Sequence, residues 1–316
     1  MSVTAAPQQP SSALRRYAWG VLGYFIAVIL WGTLVRASGS GAGCGNHWPL
    51  CNGTVAQHSP TIETIIEFVH RITSGLSLLS VVGLLIWTLL GTVRTHLARA
   101  FAWASVAFTV VEAILGALLV KLGLTAQSTS PLRPWFLALH LANTLLLLAA
   151  ITLTAHLLSR TQGATMATVR LAAPFSSIAS LILFLAVGVT GSLAALGDTL
   201  FPASSLAWAL DQDFASSGSW LIRWRWTHPT IALLAALILI WLLHRATTRP
   251  SHWDNRGISG LILLLVAIQL FLGMLDVYWL APTWLQVAHL LGADILWSAL
   301  VVLAARLTLV PLPSAS

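Results

Sequence analysis

Charge is what this sequence has least of. Of 316 residues 8% are charged and 57% are hydrophobic, where a soluble globular domain carries about 25% charged residues. A water-soluble fold is excluded, and the mean hydropathy of +0.85 agrees. There is no CxxCH, the motif of covalent haem attachment. The opening "MSVTAAPQQPSS" has neither the charged start nor the cleavage site of a signal peptide, and reads as a disordered tail. The formal charge of +7 does not point to nucleic acid, because nearly every Lys and Arg lies in a short loop or at a helix end.

Apolar runs of roughly 20 residues recur along the chain, each long enough to span a bilayer. They fall near residues 18–37, 64–90, 100–122, 134–158, 175–197, 221–244, 258–280 and 284–306. Lipid offers backbone groups no water, so these runs are helices. The expected fold is an all-α integral membrane protein of eight spans. Arg15, Arg16, Arg94, Arg99, Arg160, Arg170, Arg245, Arg249, Arg256 and Arg306 gather on one side with only Asp254 to offset them. That excess places both termini in the cytoplasm. The loops near 38–62, 123–133, 198–220 and 281–283 then face outward. Cys44 and Cys51 share the first of these, "GSGAGCGNHWPLCNG". In an oxidising outer space a disulfide is the natural reading, and the short Gly- and Pro-containing loop lets the two residues approach.

The second half repeats the first. "VVEAILGALL" (110–119) matches "AIQLFLGMLD" (267–276), aligning Glu112 with Gln269 and Gly116 with Gly273. "PWFLALHLANT" aligns with "PTWLQVAHLLGAD", and His140 with His289. "EFVHRITSGLSLL" aligns with "RWRWTHPTIALLAAL", and His70 with His228. The reading is two tandem pseudo-symmetric four-helix bundles. A disordered tail (1–16) precedes an N-terminal half (17–160); a cytoplasmic linker (161–174) leads to a C-terminal half (175–308) and a tail (309–316). Both halves start on the same side, so they are parallel repeats.

In "IIEFVHRITSG" (65–75), Glu67, His70, Arg71 and Ser74 share one helix face. Ionisable groups inside a span are expensive and mark a bundle interior or a ligand. Each half has one His early in its second span and one early in its fourth, at ~1.5 Å rise per residue some ~10 Å below the outer surface. Two imidazoles at one depth on facing helices can hold one iron from opposite sides. A lone membrane His is often just hydrogen-bonded to a neighbouring helix, a reading that weakens for four His in two matched pairs. Zinc or copper would want three or four close His/Cys ligands, which neither half offers. His47, His58, His96, His252, His156 and His244 lie in loops or at inner helix ends and are not assigned as ligands.

The halves differ three residues before their first His, with Glu67 in one and Arg225 in the other. A carboxylate there can serve as acid or base, or simply pair with Arg71 one turn on. An Arg can pair with a carboxylate of the ligand. Glu112 and Asp294 read as neutral or hydrogen-bonded groups inside the bundle, with a proton or water path open to them.

Together, "GCGNHWPLC", "EFVHR", "LALHLANT", "WTHPT" and "VAHLLGADILW" on eight spans resemble the haem A synthase family along nearly the whole chain. The resemblance implies oxidation of the C8 methyl of haem O to a formyl group by successive hydroxylations. It implies haem b held by His228 and His289, substrate haem O at His70 and His140, a catalytic Glu67, and a Cys44–Cys51 disulfide. Family members commonly have Arg after the second-half His; here Pro229 follows His228, so Arg225 or Arg223, or Arg71 in the first half, would serve a propionate or the second shell. Expected partners are haem O, the haem O synthase (protohaem farnesyltransferase) and the lipid bilayer, with no nucleic acid; a homo-oligomer is left open. The expected location is a bacterial inner membrane. A di-haem electron-transfer cytochrome and a transporter are the alternatives.

Overall fold

The computed structural model describes residues 9–54, 59–160, 169–171, 175–215, 218–248 and 254–311. His58, His252 and Arg249 lie outside the described residues, as do the first eight residues of the expected tail. The helices are α1 (Ser12–Ala37), α2 (Ile62–Gly91), α3 (Ala98–Lys121), α4 (Arg133–Leu158), α5 (Phe175–Leu200), α6 (Leu206–Phe214), α7 (Trp220–Arg223), α8 (Thr227–Thr248), α9 (Arg256–Tyr278) and α10 (Thr283–Thr308). Eight stretches are long and apolar enough to cross a membrane, the sixth being α7 and α8 together as Trp220–Thr248.

Local chemistry sets the ends. Ser11 caps α1 by accepting from the Leu14 amide at 3.2 Å, so helix begins inside the expected 1–16 tail. Thr61 caps α2 in the same way through the Thr64 amide. Pro134 sits in the first turn of α4, where a missing N–H is harmless.

In the first half α1, α2, α3 and α4 pack in sequence, and α4 returns to α1. In the second, α5, α8, α9 and α10 pack likewise, and α10 returns to α5. Each half thus closes a ring of four helices. The halves meet through α1 on α10, α4 on α5, and α4 on α10, a set of contacts that exchanging the halves leaves unchanged. α4 and α10 are the central helices: half of each one's apolar window is buried (50%), against 6% for α5. Packing between apolar helices gains little from hydrophobicity in lipid, so polar ties count. The Trp297 indole donates to the Leu145 carbonyl at 2.7 Å, joining α10 to α4. Arg36 of α1 donates to the Ala195 carbonyl (2.9 Å) and Thr199 Oγ1 (2.8 Å) of α5, and to Gln286 Oε1 (2.7 Å) of α10.

Three details depart from the sequence reading. Span six, expected as one helix over 221–244, is broken at 224–226 between α7 and α8. Pro229 has no amide to bond the Arg225 carbonyl, and its ring would clash with that group; the carbonyl instead takes the His228 amide at 3.2 Å. The expected loop 198–220 contains α6, started by a Ser205 cap. Lastly, Val169–Leu171 pairs antiparallel with Leu309–Pro311, so part of the expected linker and part of the expected tail form a short two-stranded ribbon.

Candidate functional site

His70, His140, His228 and His289 all stand within the first three turns of even-numbered spans, at the end of the molecule that carries the cysteine loop. Within each ring the two histidine-bearing helices are diagonal: α2 faces α4, and α8 faces α10. Each imidazole lies over a glycine of the preceding span. A Cβ on Gly32 would come within 3.0 Å of His70 Cε1, and one on Gly191 within 3.0 Å of His228 Cε1. Gly116 and Gly273 lie at looser distances, 3.7 Å from His140 Nε2 and 3.4 Å from His289 Cε1.

One His in each pair is tied through Nδ1. His140 Nδ1 donates to Glu112 Oε1 at 2.7 Å. His228 Nδ1 lies 3.1 Å from the Val187 carbonyl oxygen, which can only accept, so Nδ1 is the donor. In both rings Nε2 is then the free lone pair, as a metal-bound imidazole requires. The other member of each pair, His70 or His289, has a buried Nδ1 with no hydrogen-bond partner among the described residues. The His228 and His289 rings stand 6.4 Å apart between centroids with planes at 86°. A metal–imidazole bond of roughly 2.0 Å on each side puts centroids about 6 Å apart across one shared ion. Among the described residues no group of three or more His, Cys, Asp or Glu could hold a metal ion by itself. Two opposed imidazoles fit a metal whose remaining ligands come from elsewhere, which a porphyrin supplies.

Glu67 is 3% exposed, and both its oxygens are engaged. Oε1 takes Arg71 Nε at 3.1 Å and Nη2 at 2.5 Å; Oε2 takes the Cys44 amide at 2.8 Å. Arg71 Nη1 reaches on to the His47 and Leu50 carbonyls. Cys44 and Cys51 form a disulfide, Cα atoms 4.4 Å apart. The carboxylate–guanidinium pair therefore pins the disulfide loop over the first turns of α2. Thr64 adds a bond to the Gly43 carbonyl.

The second half carries a different network at this end. Arg225 is buried and bonds Asp213 through Nε (2.8 Å) and Asp198 through Nη1 (2.8 Å). Its donors are thus given to carboxylates of α6 and α5, while Arg223 is exposed. The short α6 exists to bring Asp213 here. Both acids fall in the loop near 198–220 that the sequence reading faces outward, and the sequence alone does not show their partner. The sequence reading also passed over Gly32, Gly191 and Arg36; aligning all glycines of the two halves would have paired the first two. Of the two expectations for Glu112, neutral or hydrogen-bonded inside the bundle, the hydrogen bonds are present: besides His140 it accepts from Asn143 Nδ2 (2.5 Å) and Thr144 Oγ1.

Eight apolar spans closed into two rings, each with two histidines near the same end, define a multi-pass helical membrane protein. The family model described as "Cytochrome oxidase assembly protein", COX15-CtaA, matches residues 15–301, and the chain belongs to that family. A Thermus thermophilus protein named "Protoheme IX farnesyltransferase" is 42% identical over 301 residues, 93% of this chain but 48% of its own length. The chain thus spans about half of that relative. Proteins named "Heme A synthase" from Geobacillus kaustophilus and Bacillus cereus are 29% and 28% identical, covering 91% and 87% of this chain and 90% and 87% of their own.

Proposed function

We propose that this chain is a haem A synthase, an oxidoreductase that converts the C8 methyl of haem O to a formyl group. The observation that carries the reading is the opposed His228–His289 pair, repeated in chemistry by His70 and His140 on the matching diagonal. The second pair would hold haem b and the first the substrate, haem O. When bound, haem iron supplies the oxidising power that side chains lack.

The chain's own groups orient and hold. Glu112 and the Val187 carbonyl fix which nitrogen of His140 and His228 points inward. The close glycines let the His70 and His228 rings approach α1 and α5. Glu67 Oε1 is filled by two Arg71 bonds, but Oε2 keeps a lone pair beyond its bond to the Cys44 amide, so the carboxylate can take a proton or order a water through Oε2 beside His70. The disulfide loop above it excludes bulk water from that end. In this reading the loop end faces outward from a bacterial inner membrane, both termini are cytoplasmic, and haem O comes from a haem O synthase. The name of the Thermus relative supports that partner.

Co-expression with a haem O-forming farnesyltransferase, followed by haem extraction, tests the proposal. Haem A in the extract supports it; bound haem with no formyl product overturns it. That second outcome would favour a di-haem electron-transfer cytochrome, a reading supported by one observation: both Glu67 oxygens are already engaged.

A further inference from the structure

The two histidine pairs are not equivalent, and the difference lies behind one ring. Glu112, midway along α3, accepts from three side chains on successive turns of α4: His140, Asn143 and Thr144. The aligned position in the second half is Gln269. The residues aligned with Asn143 and Thr144 are Gly292 and Ala293, which carry no side-chain donor. Among the described residues Gln269 Nε2 has no hydrogen-bond partner, and neither has His289 Nδ1. A neutral amide is thus accommodated in the second half, where Gly292 makes room for it: a Cβ there would run into Gln269 Nε2. An acid inside a span is expensive, and in the first half it meets three converging donors.

We infer that Glu112 is a positioning residue that sets the donor strength of His140, so that an iron bound in the first half is held at a lower reduction potential than one bound in the second. A carboxylate accepting the Nδ1 proton gives the ring imidazolate character and makes Nε2 a stronger donor. A stronger axial donor favours ferric over ferrous iron, since axial ligation and hydrogen bonding behind it are the protein's levers on haem potential. The Val187 carbonyl behind His228 is a neutral acceptor and pulls less on its proton. The inference rests on the haem-binding reading proposed above.

The test is a spectroelectrochemical titration of the purified chain loaded with protohaem, with low-spin electron paramagnetic resonance on the same samples. His140→Ala identifies the first-half signal as the one it removes. Glu112→Gln is expected to keep that haem and raise its potential by about 59 mV, the one-electron equivalent of a tenfold change in the ferric-to-ferrous affinity ratio. The second-half potential stays in place, and Glu112→Asp returns part of the shift. Should Glu112→Gln fail to retain haem, Thr144→Val decides. It removes a competing donor from Glu112 and leaves more of the carboxylate for His140, so the potential moves down. An unmoved first-half potential in the retained Gln variant, or no downward shift with Val, overturns the inference and leaves the site reading standing. If His140→Ala removes no haem signal, the site reading fails and the inference with it.

Discussion

The imidazoles of His228 and His289 face each other across a ring of four helices, 6.4 Å between centroids and with planes at 86°. They come from α8 and α10, the two diagonal helices of one ring. Replacing either with Ala is expected to remove one haem and leave the first-half haem bound. A pyridine haemochrome assay on purified protein should read half the wild-type haem per chain. An unchanged ratio would show that the pair does not share an iron.

Gly32 and Gly191 bring α1 and α5 closest to the site histidines. A Cβ at either would meet a histidine Cε1 at 3.0 Å. Overpacking of this kind costs about 1–3 kcal/mol, so Gly32→Ala and Gly191→Ala should each weaken retention of the haem in their own half by about tenfold. Gly75→Ala is the control, because a Cβ there meets nothing within 4 Å. Haem loss to apomyoglobin, followed by absorbance, measures all three.

What was legible in the sequence was what carries its own chemical signature. Span positions follow from apolar length, and the four histidines stand out because imidazole is rare in lipid. The Glu67–Arg71 pair follows from helical spacing. The contact of Glu67 with the Cys44 amide was not legible, since a backbone donor has no letter. Nor was the Arg225 network: its carboxylates lie 27 and 12 residues away, and they converge only because α6 folds back. Pro229 lies inside the expected span 221–244, and the sequence reading does not break the helix there, so the separate turn of α7 was not legible.

Glu67 holds two things at once, the Arg71 guanidinium and the Cys44 amide. The two substitutions Glu67→Gln and Glu67→Ala separate its roles. Gln keeps an acceptor for the loop but loses the charge. It should leave haem bound and the loop protected from protease, while haem A output falls about a hundredfold or more, as for loss of a positioned acid or base. Ala should lose both output and loop protection. Full haem A output from the Gln variant would remove Glu67 from the chemistry and leave it as the anchor of the disulfide loop. Extracted haem and limited proteolysis of the same preparations give the two readings.

His96 supplies a pH dependence that is independent of the haem sites. It lies in the turn between α2 and α3, 8% exposed, and its Nδ1 accepts the Ala98 amide at 3.2 Å. That bond needs a lone pair on Nδ1. Burial first, and then the nearby Arg99 and Arg160 guanidiniums, push its pKa below the ordinary 6.5. The folded protein therefore binds the proton less readily than the unfolded chain. Above pH 6.5 both states hold His96 neutral and the term vanishes. As pH falls through that value the unfolded chain takes up a proton that the folded one resists, and stability drops until the folded pKa is passed. In detergent, the apparent Tm of the wild type should fall between pH 7 and pH 5 by more than that of His96→Asn, which keeps a side-chain acceptor but does not titrate. Parallel curves for the two proteins would show that His96 is not held neutral by the fold.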